Sequence, residues 1–189
     1  MSGLIEHFDA LHAAEADPWQ VTTSWYERRK RALTMAALPA ERYRAAFEPG
    51  CSIGAVTELL AERCDRVTAM DAAASAVDRS RGRLAGRTHV QVLQGRLPDD
   101  WPADHFDLVV LSEIGYYLAT TDITTTVERC CASLDPGGNL VAVHWSQVAD
   151  DFASSGREVH EHLRARPELT ELARYEDTDF QLDVFERAR

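Results

Sequence analysis

The sequence is poor in basic residues and has no long apolar run. Its 189 residues include 31 Asp and Glu but only 20 Lys and Arg, which gives a formal net charge of -11. Nucleic-acid binding relies on clustered Lys and Arg that contact phosphates, so we expect no nucleic-acid partner. No stretch of about 18 apolar residues occurs, which argues against a membrane-spanning helix. The first residues lack a basic region followed by an apolar core, so we expect no signal peptide and a cytoplasmic location.

Disulfide and metal-binding patterns are also missing. None of the 4 cysteines forms a C-x-x-C pair, and none of the 7 histidines belongs to an H-E-x-x-H motif. We therefore expect free, buried thiols in a reducing compartment and no metal site. The apolar content of 45% is ordinary for a folded protein of this length, which predicts one domain over residues 1–189.

Apolar strands alternate with helical segments through most of the chain. The patterns predict strands at 45–48, 66–71, 89–93, 106–112 and 139–145, and helices at 55–64, 75–84, 122–134 and 156–166. Two further strands, 169–175 and 180–186, are close enough in sequence to form a hairpin. The expected fold class is therefore α/β: a Rossmann-like, seven-stranded, mostly parallel sheet with helices on both faces and a C-terminal antiparallel hairpin.

We expect three parts within this domain. Residues 1–43 are too rich in aromatic residues for a linker, and they are predicted to form a helical lid segment. Residues 44–145 are predicted to form the cofactor-binding core, and 146–189 a substrate-side helix followed by the closing hairpin. Inside the core, the sequence D-P-G-G at 135–138 predicts a helix stop and a turn before the fifth strand.

The stretch F-E-P-G-C-S-I-G at 47–54 joins the first predicted strand to the first core helix. Ligands of open α/β sheets bind at this end of the strands, where the helix offers free N–H groups. No Lys-Ser or Lys-Thr follows Gly54, which excludes a P-loop. Ser52 stands where G-x-G-x-x-G has its second glycine, so a dinucleotide pyrophosphate is disfavoured.

The remaining pattern is E-x-G-x-x-x-G followed by Asp71 at the end of the second strand. An acid at that position accepts hydrogen bonds from the ribose hydroxyls of an adenosine. Glu48 would add negative charge beside the turn, which deters phosphate and favours a sulfonium and an ammonium group. S-adenosylmethionine combines these features and is the predicted cofactor.

The chain also resembles class I methyltransferases from residue 45 through 138 and into the final hairpin. That resemblance implies that Asp71 binds the ribose. The stretch Gly95-Arg96-Leu97 stands where the family has a small residue, an acid and an apolar residue, and Arg96 departs from this pattern. Backbone groups near 95–97 would then hold the adenine. The further implied cofactor contacts are Gly50, Cys51, Gly54, Ala72 and Ser112.

A closer resemblance is to the nodulation protein S family. It rests on D-P-W at 17–19, Y-E-R-R-K at 26–30, the 48–54 turn and F-D-L-V-V-L-S-E-I-G-Y-Y-L at 106–118. The similarity covers roughly residues 8–143 and fades over 146–173. That family N-methylates the free amine of a partly deacetylated chitooligosaccharide. The resemblance implies that Trp19 closes over the cofactor and that Lys30 meets its carboxylate.

Three side chains are candidates for the chemistry. Glu113 follows the fourth strand and is a candidate base for an amine nucleophile, the alternative being a helix cap or an ion pair. His144, at the end of the fifth strand, is a second candidate base or a substrate ligand, the alternative being a hydrogen-bonded core histidine. Tyr116 is expected to line the pocket.

The predicted function is S-adenosylmethionine-dependent methylation of a small molecule, with an amine such as an amino sugar as acceptor. Three alternatives remain open. One is a small-molecule O-methyltransferase of secondary metabolism. Another is a non-catalytic protein that binds an adenosine ligand. The third is an NAD-linked oxidoreductase, which the glycine spacing disfavours. The sequence does not indicate the oligomeric state.

Overall fold

A computed structural model describes residues 2–189 and contains a seven-stranded sheet with helices on both faces. The strands are β1 (Tyr43–Pro49), β2 (Cys64–Asp71), β3 (Val90–Gln94), β4 (Phe106–Ser112), β5 (Leu134–Trp145), β6 (Leu169–Glu176) and β7 (Phe180–Arg187). Their order across the sheet is β3-β2-β1-β4-β5-β7-β6. Neighbours from β3 to β5 are parallel, whereas β7 runs antiparallel to both β5 and β6. The predicted fold class is confirmed.

The helices are α1 (Ser2–Ala14), α2 (Trp25–Ala37), α3 (Ala55–Arg63), α4 (Ala74–Arg83), α5 (Thr120–Ser133) and α6 (Gly156–Arg164). A short 3-10 turn, Gly115–Tyr117, lies between β4 and α5. None of the helices within residues 2–189 has the length and apolar character needed to span a membrane.

Strand β4 lies at the centre of the sheet, between β1 and β5. Its run F-D-L-V-V-L-S alternates between two cores because successive side chains of a strand point to opposite faces. Val109 and Leu111 pack with α5 and α6, whereas Leu108 and Val110 pack with residues of α2 and α3. Burial on both faces explains why this strand is an almost continuous apolar run.

The sequence predicts a turn before the fifth strand at D-P-G-G, residues 135–138. In the structure this segment lies within the bounds of β5. Leu134 pairs with Phe106, and Asn139 pairs with Leu108, so β5 has extra residues opposite β4 at this point. Gly137 adopts a φ of 80°, which a glycine allows without a steric penalty. The segment is therefore an irregularity in the strand, and the helix before it ends at Ser133.

Helix α1 is fixed to the start of α4 by polar contacts. The Asp9 carboxylate accepts hydrogen bonds from the Ser75 N–H at 2.8 Å and from the Ser75 hydroxyl at 2.7 Å. Arg79 donates to the backbone carbonyl of His12 at 2.6 Å. These contacts hold α1 across the carboxyl ends of the parallel strands.

Candidate active site

A cavity of about 210 Å³ lies beneath α1, at the carboxyl ends of four neighbouring strands. Each of these strands contributes a residue at or just after its end: Gly50 from β1, Asp71 from β2, Gly95 from β3 and Glu113 from β4. The predicted site residues that line this cavity are Trp19, Gly50, Asp71, Ala72, Gly95, Arg96, Leu97, Glu113 and Tyr116. Those that the cavity wall does not include are Lys30, Glu48, Cys51, Gly54, Ser112 and His144.

The turn after β1 is built from left-handed backbone conformations. Gly50 and Gly54 have φ values of 73° and 78°, and Ser52 has a φ of 48°. A Cβ atom at Gly50 would lie only 2.9 Å from the side chain of Ile114, so close approach as well as backbone conformation requires glycine there. Ser52 departs from the glycine pattern in sequence, yet its backbone adopts the glycine-like conformation.

Asp71 ties this turn to the end of β2. Its Oδ2 accepts from the Ser52 N–H at 2.8 Å, and its Oδ1 accepts from the Ala73 N–H at 3.0 Å. Burial raises the pKa of Asp71, although these backbone hydrogen bonds act in the opposite direction. Each carboxylate oxygen retains a further lone pair for a ligand hydroxyl.

The stretch after β3 forms another part of the wall. A Cβ atom at Gly95 would lie 2.8 Å from the Met70 sulfur, so only glycine fits there. The Gly95 N–H donates to the Asp71 carbonyl at 2.9 Å, and the Arg96 N–H donates to Asp100 Oδ2 at 3.0 Å. Because the N–H groups of Gly95 and Arg96 already have partners, the backbone groups expected to contact adenine are the Leu97 N–H and the carbonyl oxygens of this stretch.

Glu113 is held by two neighbours at the end of β4. The Tyr116 hydroxyl donates to Glu113 Oε2 at 2.6 Å, and Lys30 Nζ lies 3.4 Å from Oε1. Glu113 adopts a φ of 58°, an uncommon conformation for a residue with a side chain and one that concentrates at functional sites. Burial raises the pKa of its carboxyl group, and the Lys30 charge and the Tyr116 hydrogen bond offset only part of that rise.

Lys30 is buried behind the cavity wall, between two carboxylates. Its Nζ lies 2.7 Å from Glu27 Oε1 and faces Glu113 on the other side. Both acids line the cavity, whereas Lys30 does not. The ammonium group thus contacts the wall of the site, rather than being directed at a ligand carboxylate as the family resemblance implied. It is also the only lysine in the sequence.

Glu48 does not supply the negative charge that we expected beside the turn. Its side chain is buried and accepts a hydrogen bond from the Thr57 hydroxyl at 2.6 Å. Burial raises the pKa of Glu48 to about 8, so the carboxyl group is largely protonated at neutral pH. Glu48 therefore connects β1 to α3 in a largely uncharged form.

Three other predicted cofactor contacts also lie behind the wall. The Cys51 thiol is buried and lies 4.0 Å from the Ser80 hydroxyl. A Cβ atom at Gly54 would lie 2.6 Å from the same hydroxyl, so this glycine allows α3 and α4 to approach closely. Ser112 is the last residue of β4 and pairs with Val143.

His144 is fully buried, and neither of its ring nitrogens is directed into the cavity. The Gly115 N–H donates to Nε2 at 3.1 Å, while Nδ1 lies 3.1 Å from His160 Nε2. Burial lowers the pKa of His144 well below its usual value, so the ring is neutral at pH 7. The structure does not support its predicted roles as a base or a substrate ligand, because both nitrogens already have partners.

A helical lid segment was predicted over residues 1–43, but no residue of α1 was predicted to line the site. His12 is 2% exposed, its Nε2 lies 3.5 Å from the Ser52 hydroxyl, and its ring packs against Trp19 with centroids 5.0 Å apart. Its neighbours on the cavity wall are Leu4, Ile5 and Phe8. Residues 4, 5, 8 and 12 recur at helical spacing, and this pattern was the available signal. Tyr117 also lines the cavity and packs against Phe8.

Comparison with known proteins gives a family match over most of the chain. Residues 7–147 match the family described as nodulation protein S (NodS). The chain is 33% identical to nodulation protein S of Rhizobium tropici over 130 residues, which are 68% of this chain and 55% of that protein. Against nodulation protein S of Sinorhizobium fredii the identity is 30% over 141 residues, 72% of this chain and 65% of that protein. The chain thus spans between about half and two thirds of the length of these relatives.

Solved structures agree with the family match. A crystal structure of a protein from Pseudomonas syringae is 45% identical, with a TM-score of 0.78, and covers 87% of this chain and 100% of its own. The N-methyltransferase NodS from Bradyrhizobium japonicum WM9, crystallised with S-adenosyl-L-homocysteine, has a TM-score of 0.88 at 26% identity. It covers 98% of this chain and 99% of its own. The resemblance noted from the motifs is confirmed: the chain has the class I methyltransferase fold and belongs to the nodulation protein S family.

Proposed function

We propose that this protein transfers a methyl group from S-adenosylmethionine to the amine of a small molecule. The observation that carries the proposal is that one cavity contains both the Asp71–Ser52 unit and the Glu113–Tyr116 pair. The Asp71–Ser52 unit can bind the ribose of an adenosine. The Glu113–Tyr116 pair can accept a proton from the methyl acceptor. Membership of the nodulation protein S family supports the same assignment.

The residues around the cavity fit S-adenosylmethionine. Asp71 would accept the ribose hydroxyls through the lone pairs that Ser52 and Ala73 leave available. Gly50 and Gly95 pack closely against the side chains of Ile114 and Met70, which fixes the backbone of the cavity wall beside the ligand. Trp19 and Phe8 would cover the ligand from the α1 side. When bound, the cofactor would supply a methyl group that a positively charged sulfur already activates.

The acceptor nitrogen must be neutral before it attacks, so its proton must move to a nearby base. Glu113 Oε1 is buried and, apart from its ion pair with Lys30, makes no hydrogen bond within residues 2–189. We assign proton acceptance to the Glu113 carboxylate, which lines the cavity. The Tyr116 hydroxyl occupies the other oxygen and orients the carboxylate. Glu27 provides a second acidic group on the same wall, which would attract an ammonium form of the acceptor.

An amine acceptor is therefore favoured over an alcohol, whose hydroxyl would gain little from two acidic groups. The NodS structure from Bradyrhizobium japonicum is that of an N-methyltransferase, which supports the same choice. Within the amines, an amino sugar is the first candidate because the family resemblance implies it.

The cofactor assignment is tested by thermal unfolding with S-adenosylhomocysteine or with NAD. A ligand that binds only the folded state raises the unfolding midpoint as its concentration rises. We expect a rise with S-adenosylhomocysteine and none with NAD. A rise with NAD alone would refute the assignment of the turn.

The acceptor is tested with matched compounds and S-adenosylhomocysteine release as the readout. Glucosamine would be compared with glucose and N-acetylglucosamine, and a partly deacetylated chitooligosaccharide with its fully acetylated form. We expect turnover only with the free amines. Turnover of a benzyl alcohol but not of benzylamine would instead favour an O-methyltransferase.

A further inference from the structure

A chain of buried hydrogen bonds connects β7 to the turn that carries Tyr116. Asp183 on β7 contacts His160 on α6, with Oδ2 at 2.9 Å from Nδ1. His160 contacts His144 on β5, and His144 contacts the N–H of Gly115. The side chains of Asp183, His160 and His144 are each 0% exposed. These groups lie outside the cavity wall, and the proposed chemistry does not use them.

The direction of every hydrogen bond in this chain follows from its one fixed donor. A backbone N–H can only donate, so His144 Nε2 must be the acceptor from Gly115. The neutral His144 ring then carries its proton on Nδ1 and donates to His160 Nε2. His160 in turn carries its proton on Nδ1 and donates to the Asp183 carboxylate. The Gly115 N–H at one end and the Asp183 carboxylate at the other thus fix the tautomer of both histidines.

Asp183 is also paired with arginines that approach from neighbouring elements. Arg164 on α6 donates to the oxygen that His160 contacts, and Arg174 on β6 lies 3.6 Å from the other oxygen. Burying two histidines and a carboxylate carries a desolvation penalty, which apolar residues of similar size would avoid. Both ring nitrogens of each histidine have a partner, and Asp183 Oδ2 accepts the hydrogen bonds, whereas Oδ1 has only the ion pair with Arg174. A buried network whose ring nitrogens are all paired specifies one arrangement of the groups that it joins.

The group at the end of this chain is part of the catalytic turn. Gly115 lies between Glu113, with its uncommon backbone conformation, and Tyr116, whose hydroxyl binds the Glu113 carboxylate. The Tyr116 ring also packs edge-on against His144, with centroids 5.5 Å apart. A Cβ atom at Gly115 would lie 2.9 Å from His144 Nε2, so the glycine is required for this approach. His144 therefore contacts the turn both by a hydrogen bond and by ring packing.

We propose that His144 is a positioning residue: its Nδ1-protonated ring, oriented by His160 and Asp183, fixes the Gly115 N–H and so aligns Glu113 and Tyr116 with the acceptor. The predicted effect on catalysis rests on the proposed function, whereas the assignment of the histidine tautomers does not. Misplacement of a reacting group by about 1 Å lowers the rate by roughly 100-fold.

Two variants of His144 separate hydrogen bonding from packing. His144→Gln places an amide oxygen near the position of Nε2 and retains an acceptor for Gly115. His144→Phe keeps a ring but removes the acceptor. We expect His144→Phe to lose roughly 10- to 100-fold in kcat with an unchanged Kd for S-adenosylhomocysteine, and His144→Gln to recover most of that loss. His162→Gln, on α6 with His160 but outside the chain of hydrogen bonds, is the control.

Equal losses in the Phe and Gln variants, both folded, would overturn the proposal, as would a kcat for His144→Phe equal to that of the unmutated protein. The tautomers are tested without activity, by long-range proton–nitrogen correlation spectra of the unmutated protein at pH 7. We expect protonated Nδ1 and unprotonated Nε2 in both histidines. An Nε2-protonated His144 would overturn the proposal even if the protein is an active methyltransferase. If no acceptor is turned over, the proposed function fails, and the spectra still decide whether both histidines have the tautomers that the hydrogen-bond chain requires.

Discussion

Asp71 Oδ2 accepts a hydrogen bond from the Ser52 N–H at 2.8 Å, and this contact joins the turn after β1 to the end of β2. The two segments come from different strands, yet the carboxylate fixes the left-handed conformation of Ser52 that the turn requires. A single acidic residue therefore both shapes the turn and remains available to a ligand. Substitutions at Asp71 are expected to affect both properties.

Asp71→Ala is expected to weaken S-adenosylhomocysteine binding by about 1–3 kcal/mol, the range for losing hydrogen bonds to a charged group. Isothermal titration calorimetry would measure the change. Asp78→Ala, an exposed position on α4, is the control and should bind as the unmutated protein does. An unchanged Kd for Asp71→Ala would remove Asp71 from the ribose role.

Glu113→Gln is expected to lower kcat far more than cofactor affinity, because the amide cannot accept the acceptor's proton. The pKa of Glu113 is raised, so its carboxylate form, and with it kcat, is lost as the pH falls through a value above 4.5. A pH–rate profile from pH 5 to 8 should show this loss in the unmutated protein and not in the variant. Ionisation of the acceptor amine changes the rate of the unmutated protein and of the variant equally, so the difference between their two profiles reports Glu113 alone. Equal losses in kcat and in cofactor affinity would make Glu113 a cofactor ligand.

Lys30→Met tests whether the sole lysine acts on Glu113 or on the cofactor. The Lys30 charge lowers the pKa of Glu113, so its removal should move the acid limb of the rate profile to higher pH. Lys30→Arg retains the positive charge and should shift the limb much less. If Lys30→Met instead weakened S-adenosylhomocysteine binding and left the acid limb in place, Lys30 would contact the cofactor, as the family resemblance implied.

The sheet was predictable because local patterns determine it. Strand β4 is buried on both faces, and such a strand is an almost continuous apolar run. That run predicted the bounds of the strand, Phe106–Ser112, without error. The positions of Gly50, Asp71, Gly95 and Glu113 around one cavity follow from the rule that ligands bind at the carboxyl ends of parallel strands. Spacing along the chain was sufficient for these residues.

The directions of individual side chains were not predictable, because they depend on packing between distant segments. Glu48 and His144 stand beside site residues in sequence, but each is directed into the interior, towards Thr57 and His160 respectively. Lys30 lies behind the cavity wall, between Glu27 and Glu113. Sequence position shows that a residue is near the site, not which face it takes. The helix that carries His12 reaches the cavity only because Asp9 and Arg79 hold α1 against α4.

Glu48→Gln is expected to remove a loss of stability that the unmutated protein shows between pH 5 and pH 7.5. The pKa of Glu48 is raised from 4.5 to about 8 in the folded state. The stability that the protonated carboxyl contributes is therefore complete below pH 4.5 and is lost as the pH rises towards 8. The loss amounts to about 1.4 kcal/mol for each pH unit, and glutamine does not ionise. Urea unfolding at both pH values would measure it, with the exposed Glu62→Gln as control. The same pH dependence in Glu48→Gln and in the unmutated protein would contradict the raised pKa.

Trp19→Ala is expected to speed the release of S-adenosylhomocysteine. Trp19 is 40% exposed but lines the cavity, where its ring packs against His12 and Phe8. Removing the ring opens one side of the cavity, while the contacts of Asp71 and the turn remain. The rate of release, followed by displacement with excess ligand, should therefore rise more than the rate of association. Trp25→Ala, at a ring that is 69% exposed and outside the cavity wall, is the matched control. An unchanged rate of release would leave Trp19 as a packing residue of the segment between α1 and α2.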